Sequence, residues 1–224
     1  MYFLVLIILG SIAYVIYARA PRIPAAVAPT VGGTQMMVAT VFDDTATYHI
    51  EVRYPQFGIP SVDEKIKAAV DTALTEFRAY PANPLAGQAL ESATPKNEFT
   101  GSFDAVYVGP EVVSVELLLS EYTGGAHPNT AVVSVNIDLK TGSEITLDDA
   151  LARIGRTLPQ VATQSLAQLK AAVGEDIIFP EGAGANPDNY GTFLIGTSTV
   201  TFVFQNYQVA PYAAGIQKVS FPLK

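Results

Sequence analysis

Cysteine and tryptophan are absent from the 224 residues, and histidine occurs only twice. The first absence excludes disulfides, thiolate metal sites, a cysteine nucleophile and a lipoprotein cysteine behind a leader. A zinc site takes three or four ligands from His, Cys, Asp or Glu, and no spacing around His49 or His127 supplies them. Charge is sparse as well, at 15% of residues, with 13 Lys and Arg against 21 Asp and Glu and a formal net charge of -8. The scattered basic residues exclude the phosphate-neutralising face of a nucleic-acid binder. A cationic partner is electrostatically easier. Also missing are Gly-x-Ser-x-Gly, a phosphate-binding glycine loop and His-Glu-x-x-His. The carboxylate pairs Asp43-Asp44 and Asp148-Asp149 are neighbours in sequence rather than groups facing across a groove, and the second pair is explained as the start of a helix. No catalytic residue, metal or cofactor is expected.

What is present is enough apolar sequence, 49% of residues, to build the cores of one or two small domains. Met1 to Ala18 is an uncharged apolar run, long enough to cross a hydrocarbon layer of ~30 Å as a helix. No basic residue precedes it and Pro21 would follow a cut after Ala20, so a retained membrane anchor over 1–20 is expected rather than a cleaved leader. Pro21 to Thr34, rich in Ala, Pro, Val and Gly, reads as part of an extended tether over 21–36.

A first domain is expected over 37–137 and a second over 138–224. Strand text at Met37 and at Tyr48–Pro55 precedes a helix over Val62–Ala79, with Ser61 and Glu64 in capping-box spacing and Val62, Ile66, Val70, Leu74 and Phe77 on one face. Pro81, Pro84, Gly87 and Pro95 mark a surface loop. Strand patterning resumes over Asn97–Phe103 and Val106–Leu119, with a turn at Tyr107–Pro110, and again over Ala131–Ile137. Thr146 with Asp149 starts a short helix, and Thr157-Leu158-Pro159 starts another that stops at Gly174. A loop over Glu181–Gly191 leads to strands near 192–195, 199–204 and 217–223. The fold class implied is α+β, mostly antiparallel sheets with a few segregated helices, preceded by an N-terminal membrane helix.

The stretch Tyr122-Thr123-Gly124-Gly125-Ala126-His127-Pro128-Asn129 joins two of these strands. Its glycine pair permits positive φ, and Pro128 pushes His127 toward an extended backbone. For His127 the residue types allow either a loop-stabilising hydrogen bond to backbone or contact with a partner. His49, alternating with Tyr48 and Ile50, reads as a strand residue facing solvent. Tyr207 and Tyr212, bracketing Asn206–Pro211, suit an interface or a packed site with satisfied hydroxyls.

The octapeptide, together with Val200–Gly215 and the strand Val219–Leu223, resembles the paired extracytoplasmic domains shared by the lysozyme-sensing anti-sigma factor of Bacilli (RsiV-like) and the non-catalytic N-terminal part of a peptidoglycan deacetylase (PdaC-like). Tyr48–Pro55 with the following helix, and Thr141-Gly142 with Leu147-Asp148-Asp149, fit the same order of motifs over roughly Val38 to Leu223. The resemblance implies a membrane-anchored domain pair outside the cytoplasm, without catalysis. Its implied partner is a lysozyme-like basic protein or a peptidoglycan glycan, met by Tyr122, Gly124, Gly125, His127, Asn129, Tyr207 and Tyr212. Arg19 and Arg22 alone would argue for the opposite orientation. Neither the anti-sigma segment nor the deacetylase domain of those relatives is expected in this chain. The alternative function is a cell-wall hydrolase using His127 with a carboxylate.

Overall fold

A computed structural model describes residues 30–31, 34–82, 96–124 and 126–224. The anchor over 1–20, most of the tether, the loop markers Pro84, Gly87 and Pro95, and Gly125 lie outside the described residues. Among the described residues no helix is long and apolar enough to cross a membrane.

A short antiparallel pair, β1 (Thr30–Val31) and β2 (Thr34–Gln35), precedes the first sheet. That sheet has five strands in the order β3 (Met37–Asp44), β4 (Tyr48–Gln56), β5 (Asn97–Val108), β6 (Val112–Tyr122) and β7 (Asn129–Asp138). Its pairings are antiparallel except β4 with β5. The sheet is therefore mixed. A parallel pair needs a crossover rather than a hairpin, and the segment between β4 and β5 carries helix α1 (Pro60–Arg78).

The helix begins at Pro60, which suits the first helical position because its fixed φ is helical and its missing N–H would have no partner there. Ser61 thus falls inside the first turn, and the capping box expected from Ser61 and Glu64 does not form: the N-cap is Ile59, with no side-chain cap bond. Asp63 holds the entry instead, its carboxylate accepting from the N–H of Phe57 at 2.7 Å and of Gly58 at 2.9 Å. Ile66, Val70, Leu74 and Phe77 are buried along one face against Ile50, Val52, Phe99, Val115 and Leu117 of the sheet. β5 and β6 are joined by a tighter turn than expected, since Tyr107 and Val108 remain in the strand. A register shift between Phe103 and Val106 accommodates that extension.

The second half builds around a three-stranded antiparallel sheet, β8 (Phe193–Ile195), β9 (Thr199–Phe204) and β10 (Gln217–Pro222), with β9 in the middle. Helices α2 (Leu147–Ile154) and α3 (Leu158–Val173) supply the rest of its core. Thr146 and Asp149 form the expected capping box on α2. At α3 the Gln160 Oε1 accepts from the Thr157 N–H at 2.9 Å, and Gly174 follows the last turn with φ +99°. Tyr190 sits fully buried with its edge toward Phe202 and Phe204, and its hydroxyl donates to the Ala183 carbonyl at 2.7 Å. The loop expected over 181–191 holds one 3₁₀ turn at its start, Pro180–Ala183, and another near its end, Pro187–Tyr190.

The two sheets meet in an unusual way. β8 is an edge strand, and its outward backbone groups would be unpaired liabilities. They lie on the face of the first sheet opposite α1, where side chains satisfy them. The Phe193 N–H donates to Ser134 Oγ at 3.2 Å, the Phe193 carbonyl accepts from Asn136 Nδ2 at 2.8 Å, and the Ile195 N–H donates to Ser114 Oγ at 3.0 Å. Ser114 in turn donates to Asn136 Oδ1 at 2.6 Å. Val132, Leu194 and Val203 add a small apolar contact beside this network. Glu116 on the same face is 1% exposed, and Lys218 of β10 reaches both of its carboxylate oxygens, at 2.7 and 2.8 Å.

Candidate recognition surface at the junction of the two sheets

The connection from β6 to β7 begins its turn at Gly124, whose φ of +107° is costly for residues with a Cβ. Pro128 follows His127 and its carbonyl becomes an anchor point. Nδ1–H of His127 donates to it at 2.8 Å, and the Tyr212 hydroxyl donates to it at 3.3 Å. With both rings tied to one oxygen, the imidazole and the phenol stack at a centroid distance of 3.9 Å and an interplanar angle of 19°.

Tyr212 opens a single 3₁₀ turn, Tyr212–Ala214, set by Pro211 before it and ended by Gly215. Tyr207 extends the stack, its ring 5.4 Å from Tyr212 and tilted by 36°. It is 57% exposed, and among the described residues it is the non-glycine residue with positive φ, +64°. For a bulky side chain that conformation costs about 1–2 kcal/mol and persists only where the surroundings over-determine it.

Those surroundings are on both sides of the tyrosine. Gln205 accepts from the Val132 N–H at 2.8 Å and donates to the Val132 carbonyl at 2.9 Å, pairing with the open edge of β7 as a strand would. Asn206 donates to the Thr130 carbonyl at 3.3 Å. Gln208 caps the Gln205 N–H at 2.9 Å and donates to the carbonyls of Gly182 and Asn189, each at 3.0 Å. Gly182 admits this close approach, because a Cβ there would collide with the Gln208 carbonyl oxygen. The turn is pinned at three of its four residues, and the fourth carries its ring outward.

Of the residues expected from sequence to meet a partner, His127, Tyr207 and Tyr212 come together. Asn129 does not join them: it lines a separate cavity of about 200 Å³ with Ala73, Tyr80 and Phe99 on the α1 side. Tyr122 pairs with Glu98 at the end of β6 and is half-buried. Gly124 shapes the loop, and Gly125 is outside the described residues. Among the described residues no carboxylate lies within ion-pair distance of His127, and no group of three or more His, Cys, Asp or Glu could hold a metal ion.

The other histidine does have a carboxylate. His49 Nδ1 is 3.4 Å from Asp44 Oδ1, but Lys96 Nζ holds the same oxygen at 2.7 Å. The hydrogen bond from Lys96, more than that from His49, keeps the Asp44 carboxyl below its ordinary range. Asp43 is bonded by Tyr48 and Arg78. Both acids of that pair thus act as ion-pair partners on an exposed strand end. Sequence reasoning did not find Gln205, Asn206 and Gln208, since nothing in the local pattern shows that three amides of one turn reach distant backbone.

Comparison with known proteins follows this architecture. Residues 42–130 match the family described as "Deacetylase PdaC", and residues 145–224 match "Protein of unknown function (DUF3298)". The peptidoglycan-N-acetylmuramic acid deacetylase PdaC of Bacillus subtilis is 24% identical over 186 residues, covering 82% of this chain and 39% of that protein. Immunogenic protein MPT64 of Mycobacterium tuberculosis is 28% identical over 109 residues, 49% of this chain and 48% of its own length. The chain therefore spans about two fifths to one half of these relatives. Two solved structures share the fold. A DUF3298 family protein from Pseudomonas aeruginosa gives a TM-score of 0.56 at 17% identity, covering 89% of this chain and 97% of that one. A DUF3298 family member from Bacteroides fragilis gives 0.53 at 17%, covering 87% and 92%. The chain is a homologue of Bacillus subtilis PdaC and carries an RsiV-like pair of domains, a PdaC-type domain over 42–130 followed by a DUF3298 domain over 145–224.

Proposed function

We propose that the chain is an envelope-facing binding module without catalysis of its own, and that it meets its partner with the surface made by His127, Tyr212 and Tyr207. The observation that carries this reading is Tyr207, an exposed aromatic held at φ +64° by a turn pinned at its other three residues and set against the Tyr212 ring, which stacks on His127. Strain of this kind collects at ligand-contacting positions, and tyrosine supplies contact area at small entropic cost. The acidic balance of the chain supports a basic, lysozyme-like protein as partner, and the flat ring faces support a peptidoglycan glycan. Among the described residues no carboxylate is within ion-pair distance of His127, so the hydrolase reading is not adopted.

The apolar run over 1–18 anchors this module to the membrane, with the globular part outside, where both partners are found. A protease added to intact cells removes the module on this account, and full protection contradicts the orientation. Binding is tested by titrating lysozyme and soluble peptidoglycan fragments against wild type and His127→Ala at low and moderate salt. The variant folds normally, since a loop substitution away from the core changes stability little, and binds more weakly. A basic protein loses affinity as salt rises, through screening, whereas a neutral glycan does not. Equal binding by wild type and variant, or turnover of a cell-wall substrate that vanishes in the variant, overturns the reading.

A further inference from the structure

The open edge of β7 is covered along most of its length by groups from the second half of the chain. At Val132 both backbone groups are taken by Gln205, and at Asn136 the carbonyl accepts from the Ile145 N–H at 2.8 Å. Alternation along an antiparallel strand puts the N–H and C=O of Ser134, midway between them, on the same outer edge. Among the described residues neither has a hydrogen-bond partner, because the Ser134 side chain, not its backbone, serves Phe193. The gap opens into a cleft of about 400 Å³ between α1 and Phe193 of β8. Ala68, Ala69 and Thr72 form its helix wall, and their short side chains leave the space. Lys65 and Glu144, 3.3 Å apart, stand at the same cleft.

We infer that this cleft binds a secondary amide bearing a small apolar substituent. One open ladder position offers one donor and one acceptor, the complement of one amide. The opening between the two covered residues is about 13 Å at ~3.3 Å per residue, too short for an added strand, since Gln205 takes both backbone groups of Val132 and Ile145 takes the Asn136 carbonyl. A volume of this size suits a compact ligand. The amide hydrogen-bonds to Ser134 while its methyl or methylene lies against Ala68, Ala69 and Phe193. Two sources share that chemistry, an N-acylated amino acid or peptide and an acetamido sugar. The cleft is lined by none of the loop residues above, so the two proposals stand or fall separately.

The test follows backbone amide resonances of the full-length chain during titration with N-acetyl-L-alanine methylamide and with N-acetylglucosamine, using alanine and glucose as amide-free controls. A saturable shift of Ser134 and its neighbours with either amide, absent with the controls, is the expected result. Response to the alanine derivative alone assigns a peptide source, and response to the sugar alone assigns an acetamido sugar. Ala68 and Thr72 are exposed on the helix, so Ala68→Phe and Thr72→Phe fill the cleft without entering the core, and each removes the shift while leaving the melting temperature in place. No saturable shift with either amide, equal shifts with the controls, or shifts that survive in both filled variants overturn the inference.

Discussion

The His127 imidazole lies 3.9 Å above the Tyr212 ring, nearly parallel to it, with both side chains bonded to the Pro128 carbonyl. The histidine comes from the loop of the first sheet and the tyrosine from the second half of the chain. One surface therefore depends on both domains, and anything that loosens their contact loosens the surface. The junction's polar bonds from Ser114, Ser134 and Asn136 are thus part of how the recognition surface is held.

The turn into this loop requires Gly124 at φ +107°. Replacing it by alanine forces a Cβ into that conformation and costs about 1 kcal/mol or more. Thermal unfolding of Gly124→Ala measures it; an unchanged transition shows that the loop does not need that backbone freedom.

Glu116 and Lys218 make a second link between the halves, and the carboxylate end is buried. Removing the lysine strands a charge in the interior, which costs roughly 3 kcal/mol. Lys218→Ala is accordingly strongly destabilised in urea unfolding, whereas Glu116→Leu with Lys218→Met recovers most of the loss. A double variant no better than Lys218→Ala contradicts this account of the pair.

At the start of α2 the Asp149 carboxyl is held below its ordinary value of 3.8 by hydrogen bonds from the Thr146 hydroxyl and backbone N–H. A lowered folded value means that its contribution is complete above that ordinary value and is lost as pH falls through the folded one. Thr146→Ala costs about 1 kcal/mol at neutral pH. Its deficit relative to wild type should shrink as the pH is taken below 4 toward the lowered folded value, and a deficit constant across that range would show that the ionised carboxylate is not involved.

Much of the fold was legible because it follows from local pattern. The helical spacing of Ile66, Val70, Leu74 and Phe77, the Thr146–Asp149 cap and the turn residues Gly174 and Gly124 each state their own conformation. The parallel pairing of β4 with β5 was not legible, since a helix between two strands is compatible with either direction of return. In β6, Ser114, Glu116 and Leu118 share the face that the second sheet covers, and the local strand pattern does not state what lies over it. At the surface, His127 and the two tyrosines were visible as residue types. Their stacking was not, because it depends on a turn pinned by Gln205, Asn206 and Gln208 to backbone far away in sequence.

The most direct measurement is made on Tyr207→Gly, with stability and binding read on the same samples. Glycine adopts φ +64° without strain, and this gain of about 1 kcal/mol offsets or exceeds the lost ring contact with Tyr212. The account predicts a melting temperature at or above that of wild type together with clearly weaker binding of the lysozyme or peptidoglycan fragment that wild type retains. Wild-type affinity in a variant of undiminished stability would contradict it, showing that the strained tyrosine is not held there for a partner.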